Sequence, residues 1–388
     1  MKTFATALLF LLLFSSLTFG QAPPTPLAEL SKNYSALNLR AGNIPEKWED
    51  GMRTTGKKKT YEWWYFDAHL DDGSTMVIVF YTKSFVNFNK GLTPLVTLTI
   101  DRPDGTAFIK EYFGDADQFS SSKDSCHVKI DNNYFKGNLK EYEIHFDDED
   151  IQLTAKIRRT TESWRPQTGH IFFGEEKKDY FAWLVPVPKG EVEIDYTLKK
   201  EKKDVKVKGS CYHDHNWGNK NTAKLFNHWY WSRAEIGPYT LIASEMITEK
   251  EYNKENVVVF NISKDGKTVA DDGSKVTMYQ TYGKMHPTLH KDVSDDLIFI
   301  YDAPDDPYRY EYYLYRERSL VEVDLLETSI KSKFKLCLAR LFTKFDGAYF
   351  RMIGKSKIKV YKNDQLIETH ESSKAVWELM YFGKPNQK

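Results

Sequence analysis

Tyr61-Glu62-Trp63-Trp64-Tyr65-Phe66-Asp67-Ala68-His69-Leu70, closed by Asp71-Asp72-Gly73 and followed by Thr75 to Lys83, sets the style of the chain. A run rich in aromatic rings ends on a turn signal and a β-branched run follows at once, which is how an antiparallel hairpin is written. The pattern recurs in Leu95 to Ile100, ahead of Asp101-Arg102-Pro103-Asp104-Gly105, and in Tyr142 to Phe146, Ile151 to Ile157, Glu191 to Leu198 and Val205 to Cys211, all with a period near two. It continues through His228 to Glu235, Tyr239 to Thr248, Asn256 to Ser263, Lys275 to Gln280, Tyr310 to Tyr315, Ser319 to Glu327, Ile358 to Tyr361 and Ala375 to Phe382. Aromatic residues make up 15% of the chain, and pleated, half-buried surfaces are where they collect. The prediction is an all-β protein built as an antiparallel sandwich or barrel, with little helix. The best helical candidate is Ser332 to Phe345, whose Leu336, Leu338, Leu341 and Phe342 fall near one face.

The 388 residues carry 55 Lys+Arg against 55 Asp+Glu, so the chain lacks the broad basic field of nucleic-acid binders and of proteins that adhere to anionic membranes. Lys2 precedes an apolar run from Phe4 through Leu17, and small or polar residues follow, which reads as a secretory signal, residues 1–20, cleaved after Gly20. That run is too short for a comfortable membrane span and no later one can cross a bilayer, so the expectation is a secreted or periplasmic protein with no stable span after cleavage. A Pro-rich lead over residues 21–45 would come next. The remaining body is about twice an ordinary domain, and Gly218-Asn219-Lys220-Asn221 divides it into an N-terminal β unit, 46–220, and a C-terminal β unit, 221–388. Two aromatic blocks, Glu62 to Asp67 and Trp377 to Gly383, read either as echoes of a duplicated unit or as ordinary core strands. Cys126, Cys211 and Cys337 allow one disulfide at most, and Cys211 reads as a small buried strand residue. Asn33 and Asn261 head glycosylation sequons that matter only in a eukaryotic source.

Chemistry concentrates in Tyr212-His213-Asp214-His215-Asn216-Trp217-Gly218. An apolar core accepts three ionisable side chains in a row only with partners. Extended, the segment sends His213, His215 and Trp217 to one face and Tyr212, Asp214 and Asn216 to the other. Three readings stay open. An H-x-H pair is a metal half-site, with His228, Glu235 and Glu245 as candidates for further ligands. No H-E-x-x-H or paired-Cys signature accompanies it, so neither metal nor cofactor is assigned. A hydrogen-bonded polar cluster holding two sheets together is the second reading. In the third, Asp214 or another carboxylate orients and charges His215 for acid–base work, while Trp217 walls an aromatic pocket that Trp63, Trp64, Trp229 and Trp231 can join. Indole faces would also stabilise the carbocation formed on protonating a double bond. Arg233 reads as an anion site or, on the safer reading, as half of a structural ion pair. The junction of two β units is a favoured place for such a site.

Glu62-Trp63-Trp64-Tyr65, then Tyr212 to Gly218, then Trp229-Tyr230-Trp231-Ser232-Arg233, with the late W-E-L-M-Y of residues 377–381, together resemble the carotenoid hydratase and AttH-like family. The resemblance covers almost the whole mature chain. It implies two tandem lipocalin-like β units and an activity drawn from a family that includes carotenoid 1,2-hydratases and fungal pericyclases that fold polyenes. His215 and Trp217 match the motif histidine and tryptophan implicated in the hydratase site. The hydratases also use a tyrosine and an aspartate two apart on a following strand; in Leu241 to Met246 the tyrosine is missing and Glu245 stands in for the aspartate. The implied partner is a small hydrophobic molecule, an isoprenoid or polyene. Asp214, His215 and Glu245 are then the catalytic candidates, Trp217, Tyr212, Trp63, Trp229 and Trp231 the ligand-binding ones, and His213, Asn216 and Arg233 the support. An enzyme that hydrates or cyclises such a ligand and a carrier that only binds it both fit. No feature of the chain sets an oligomeric state.

Overall fold

The computed structural model describes residues 26–329 and 345–384. The expected signal segment, Cys337 and the helical candidate up to residue 344 lie outside them. The opening hairpin forms as the alternation requires: Tyr61–Leu70 pairs antiparallel with Thr75–Tyr81, Tyr65 opposite Val79. The structure is all-β, built of antiparallel sheets. Among the described residues the α-helical segments are Thr222–Leu225 and Leu325–Ser329, so the strand expected over Ser319 to Glu327 stops at Asp324.

Two large sheets account for the fold. The first draws on residues 28–218. At its centre Lys203–Gly218 lies between Tyr61–Leu70 and Asp179–Leu198, and from these the sheet runs out to Ala107–Phe113 on one side and to Phe119–Ser121 on the other. The second draws on residues 226–381. There Phe226–Ile236 lies between Tyr239–Thr248 and Gln365–Tyr381, with Ala348–Lys362 and Tyr308–Asp324 beyond. In both, the last strand returns beside an early one, so the closing pairs are Lys203–Gly218 with Tyr61–Leu70 and Gln365–Tyr381 with Phe226–Ile236. The two aromatic blocks are therefore not equivalents. Glu62 to Asp67 sits on an early strand of its sheet and Trp377 to Gly383 on the last strand of the other; the counterpart of Trp63-Trp64-Tyr65 is Trp229-Tyr230-Trp231.

Each sheet curls around its own core. In the first, Phe80 comes within 6.1 Å of Phe135 and Tyr112 within 6.5 Å of Phe146, ring to ring across the interior. In the second, Phe260 stacks on Tyr301 at 6.0 Å. A third apolar cluster, including Trp183, Tyr212, Trp231, Ile242 and Met246, fills the space between the two sheets. Several strands are longer than their turn signals suggest. Asp179–Leu198 continues through Pro186 and Pro188 because the register shifts there, between Leu184 and Val187 and again between Val187 and Gly190. Bulges are where a sheet tolerates residues that cannot donate to the ladder.

Cys126 and Cys211 are buried free thiols. Asn261 is fully buried and hydrogen-bonds Thr268 and Ser263, so its sequon lies inside the folded sheet, whereas Asn33 is exposed.

Candidate functional site

The central strand carries the heptad between two neighbours. His213, Asp214, His215 and Asn216 stand opposite Phe66, Tyr65, Trp64 and Trp63 in register. It ends at Gly218, where only a glycine fits: a Cβ there would come within 2.4 Å of the Tyr61 hydroxyl and 2.8 Å of the Tyr180 carbonyl. Just beyond, Asn221 accepts from Ala223 N and starts the one-turn helix Thr222–Leu225 that leads to the second sheet.

Alternation then splits the heptad. Its even residues face the second sheet. There a cavity of about 100 Å³ is walled by Trp63, Tyr65, Phe181 and Trp183 from the first sheet and by Trp229, Trp231 and Met246 from the second. Asp214, Asn216, Ser244 and Glu378 supply its polar groups. Tyr212, behind Asp214, donates its hydroxyl to Asp214 Oδ2 at 2.8 Å; Trp183 Nε1 reaches the same oxygen at 3.1 Å, and Asn216 Nδ2 donates to Oδ1 at 2.8 Å. Burial pushes the Asp214 carboxyl up to about 7, with Asp67 and Glu378 adding to the rise and the Tyr212 and Trp183 hydrogen bonds opposing it. Burial raises Glu378 as well, against Arg351 and Tyr349. On the indole side, Trp231 packs edge-on to Tyr65 at 6.1 Å and tilts against Tyr212 at 5.3 Å, while Trp229 meets Phe382 at 4.8 Å.

The odd residues face the interior of the first sheet. His215 is fully buried, stacks on Trp64 at 4.6 Å and reaches Glu62 Oε1 through Nε2 at 2.8 Å. Its Nδ1 is 3.4 Å from Asp50 Oδ1. His213 points Nδ1 at the Tyr65 carbonyl, 2.8 Å away, and Nε2 at Asp50 Oδ2, 3.5 Å away. Trp217 closes this face, packed on Ala182 and Leu184 and 4.9 Å from the His215 ring. Burial works against a charged His215, but the carboxylates of Asp50 and Glu62 outweigh it and raise its pKa.

Of the ligand-binding candidates, Trp63, Trp229 and Trp231 wall the cavity. Tyr212 supports it from behind, and Trp217 faces the other way. Of the catalytic candidates, Asp214 alone reaches it. His215 is turned inward by the alternation, and its carboxylate partners are Glu62 and Asp50 in place of Asp214. Glu245 is also turned away, because Ser244 and Met246 on either side take the cavity face; its carboxylate accepts from Asn256 and Gln280 on strands of the second sheet. The further metal ligands sought for the H-x-H pair lie elsewhere as well. His228 stacks on Tyr381, and Glu235 pairs with Arg233 and Lys189. Arg233 forms a buried ion pair with Asp67, its Nε donating to Asp67 Oδ1 at 2.7 Å across the two sheets. Sequence reasoning missed Tyr65, Phe181, Trp183, Ser244, Met246 and Glu378. For Glu378 a signal exists, an acid placed between Trp377 and Leu379 in an otherwise apolar strand.

A protein-family model described as Diels-Alderase-like matches residues 40–288. The hydroxyneurosporene dehydrogenase of Chlorobaculum tepidum is 26% identical over 229 residues, 51% of this chain and 58% of that relative, so the chain spans little more than half of the relative's length. Among solved structures, an AttH candidate from Nitrosomonas europaea matches with a TM-score of 0.58 at 13% identity, over 89% of this chain and 98% of the other. CghA, solved with Sch210972, matches with a TM-score of 0.58 at 12% identity, over 93% and 99%. At these identities the two structures speak for a shared fold alone.

Proposed function

The chain belongs to the Diels-Alderase-like family, and from that premise we propose that it binds the reacting segment of a small apolar, unsaturated molecule between its two sheets and catalyses a hydration, cyclisation or related rearrangement of it. The observation that carries this reading is the cavity itself, where the Asp214 and Glu378 carboxyls stand among the indoles of Trp63, Trp183, Trp229 and Trp231. Aromatic faces hold an unsaturated chain and stabilise cationic character developing on it. A carboxyl held in the same space can give a proton to a double bond or take one from an adjacent carbon. Holding a flexible chain in one reactive fold supplies the orientation part of the rate. About 100 Å³ has room for roughly three waters at the ~30 Å³ each takes in the liquid, so the cavity grips part of a long polyene and does not enclose it. The apolar run Phe4 to Leu17 supports export as the setting in which the ligand is met.

A carrier has one observation on its side: Asp214 accepts three hydrogen bonds, as a purely structural carboxyl would. Incubating the protein and its Asp214→Asn/Glu378→Gln variant with a lipid extract, then comparing bound and released molecules by mass spectrometry, separates the two. A released molecule that differs from the bound one in the wild type only supports the enzyme. Unchanged ligand from both makes the protein a carrier, and no retained ligand from either removes the cavity from both readings.

A further inference from the structure

We propose that Asp50, Cys126, His213 and His215 form a closed zinc(II) site inside the first sheet, on the opposite face of the strand from the cavity. One ligand atom each from Asp50, Cys126 and His213 lies within 4.8 Å of the others, and all three residues are buried. His215 stands outside that set of mutually close atoms and would supply the fourth ligand by closing on it from Asp50, its Nδ1 being 3.4 Å from Asp50 Oδ1.

The tautomers make the case. His213 Nδ1 faces a carbonyl oxygen, that of Tyr65 at 2.8 Å, so Nδ1 carries the proton and Nε2 is left with its lone pair. His215 Nε2 faces Glu62 Oε1 at 2.8 Å, so there Nε2 carries the proton and the lone pair is on Nδ1. Both lone pairs point at the Asp50 carboxylate, 3.5 and 3.4 Å away. Asp50 Oδ1, His213 Nε2 and His215 Nδ1 have no hydrogen-bond partner among the described residues. Lone pairs converging on a carboxylate in a dry interior repel each other unless something positive lies among them. Extra protons on the imidazoles are one solution. Cys126 favours the other, since among the described residues its one hydrogen bond is the long contact to the Phe135 carbonyl at 3.6 Å while its sulfur faces Asp50 and His213; a thiol adds little to a proton network but is a preferred zinc ligand.

Tetrahedral bonds of about 2.0–2.3 Å put ligand atoms roughly 3.3–3.8 Å apart; His213 Nε2 keeps that spacing from Asp50 Oδ2 and His215 Nδ1 from Oδ1, and the Asp50, Cys126 and His213 atoms, within 4.8 Å of one another, would draw in around the ion. The outer contacts are those that steady a bound ligand. A backbone carbonyl holds one histidine and a carboxylate the other, and the Tyr142 hydroxyl donates to Asp50 Oδ2 at 2.6 Å. Glu62 is fixed in turn by Arg53 N, Thr54 N and Thr54 Oγ1 at 2.6, 2.8 and 2.8 Å. Four protein ligands and full burial make the site structural. It would tie the segment ending at Asp50, the chain ahead of His127–Ile130 and the central strand into one body, and so fix the strand that presents Asp214.

The test is metal content of the full chain, expressed in zinc-supplemented medium and purified without chelator. About one zinc per chain is expected, and cobalt(II) supplied in its place should give intense visible bands with a thiolate charge-transfer band in the near ultraviolet. Cys126→Ser should lose that band, while Cys211→Ser, which removes an equally buried thiol outside the cluster, should keep it. Glu62→Gln leaves every ligand in place and should weaken zinc binding roughly 10- to 100-fold. Folded wild-type protein free of zinc, a cobalt spectrum without the thiolate band, or equal retention by both cysteine variants would each overturn the proposal.

Discussion

Asp214 and His215 are neighbours in the chain and do not meet. Asp214 opens onto the cavity between the sheets, while His215, one pleat later, lies inside the first sheet with its Nε2 2.8 Å from Glu62. The heptad is therefore two constellations on one strand. The even side holds a carboxyl among indoles; the odd side holds a polar knot that braces the strand from behind.

The cavity side is the side a ligand should feel. Asp214→Asn and Glu378→Gln change little in size, so each should leave ligand retention within a few-fold while turnover falls by roughly 10²–10⁴, the usual worth of a positioned acid or base. Conversion of extract components, followed by mass spectrometry against retained ligand, is the measurement. Equal loss of retention and conversion would mean that the carboxyls only shape the cavity.

How far the sequence speaks follows from the same strand. The period of two, read locally, places His213, His215 and Trp217 on one face and Tyr212, Asp214 and Asn216 on the other, and the structure has them so. Which face meets the ligand depends on where the second sheet packs, and that is set by contacts such as Asp67 with Arg233, 166 positions apart. Glu378 is equally remote from Asp214 in the chain. No window of ten or twenty residues contains that information. The long strand Asp179–Leu198 hides for a different reason, since Pro186 and Pro188 carry a turn signal that bulges absorb.

The inner side should act on stability. His215→Ala leaves the Glu62 and Asp50 carboxylates buried without their shared partner, and leaving a buried charged acceptor unsatisfied costs about 1–3 kcal/mol or more. Denaturant unfolding should show that loss, and the fraction that remains folded should retain ligand as the wild type does. Intact stability together with lost conversion would return His215 to the chemistry.

Arg233 and Asp67 are 4% and 1% exposed and join Phe226–Ile236 to Tyr61–Leu70 across the two sheets. Arg233→Met or Asp67→Leu alone should each cost about 3–5 kcal/mol by stranding a buried charge. The double variant should cost clearly less than their sum, because neither charge is then left alone. Chemical unfolding of the four proteins closes the cycle, and additive losses would show that the two do not sustain each other.

Three buried histidines each tie the stability of the fold to pH. Burial holds His69, His170 and His228 down to about 4, whereas an unfolded histidine titrates near 6.5. A depressed histidine contributes its full stability above pH ~6.5, where both states are neutral, and loses it as pH falls toward its folded value, because the unfolded chain takes up the proton first. Each such group removes roughly 1.4 kcal/mol per pH unit in that window. Asp214, pushed up to about 7, and the carboxyls of Glu378, Glu245 and Glu49, which burial also raises, work the other way: their folded state takes up the proton first as pH falls, and this offsets the histidines. A difference between proteins isolates a single group better than the total does. His228 sits in the second sheet, with Nδ1 2.9 Å from Asn227 Oδ1 and its ring stacked on Tyr381, away from both constellations of the central strand. His228→Gln should therefore flatten the slope of unfolding free energy between pH 6.5 and 5 by up to roughly 1.4 kcal/mol per unit, and an unchanged slope would mean that His228 is charged in the folded protein.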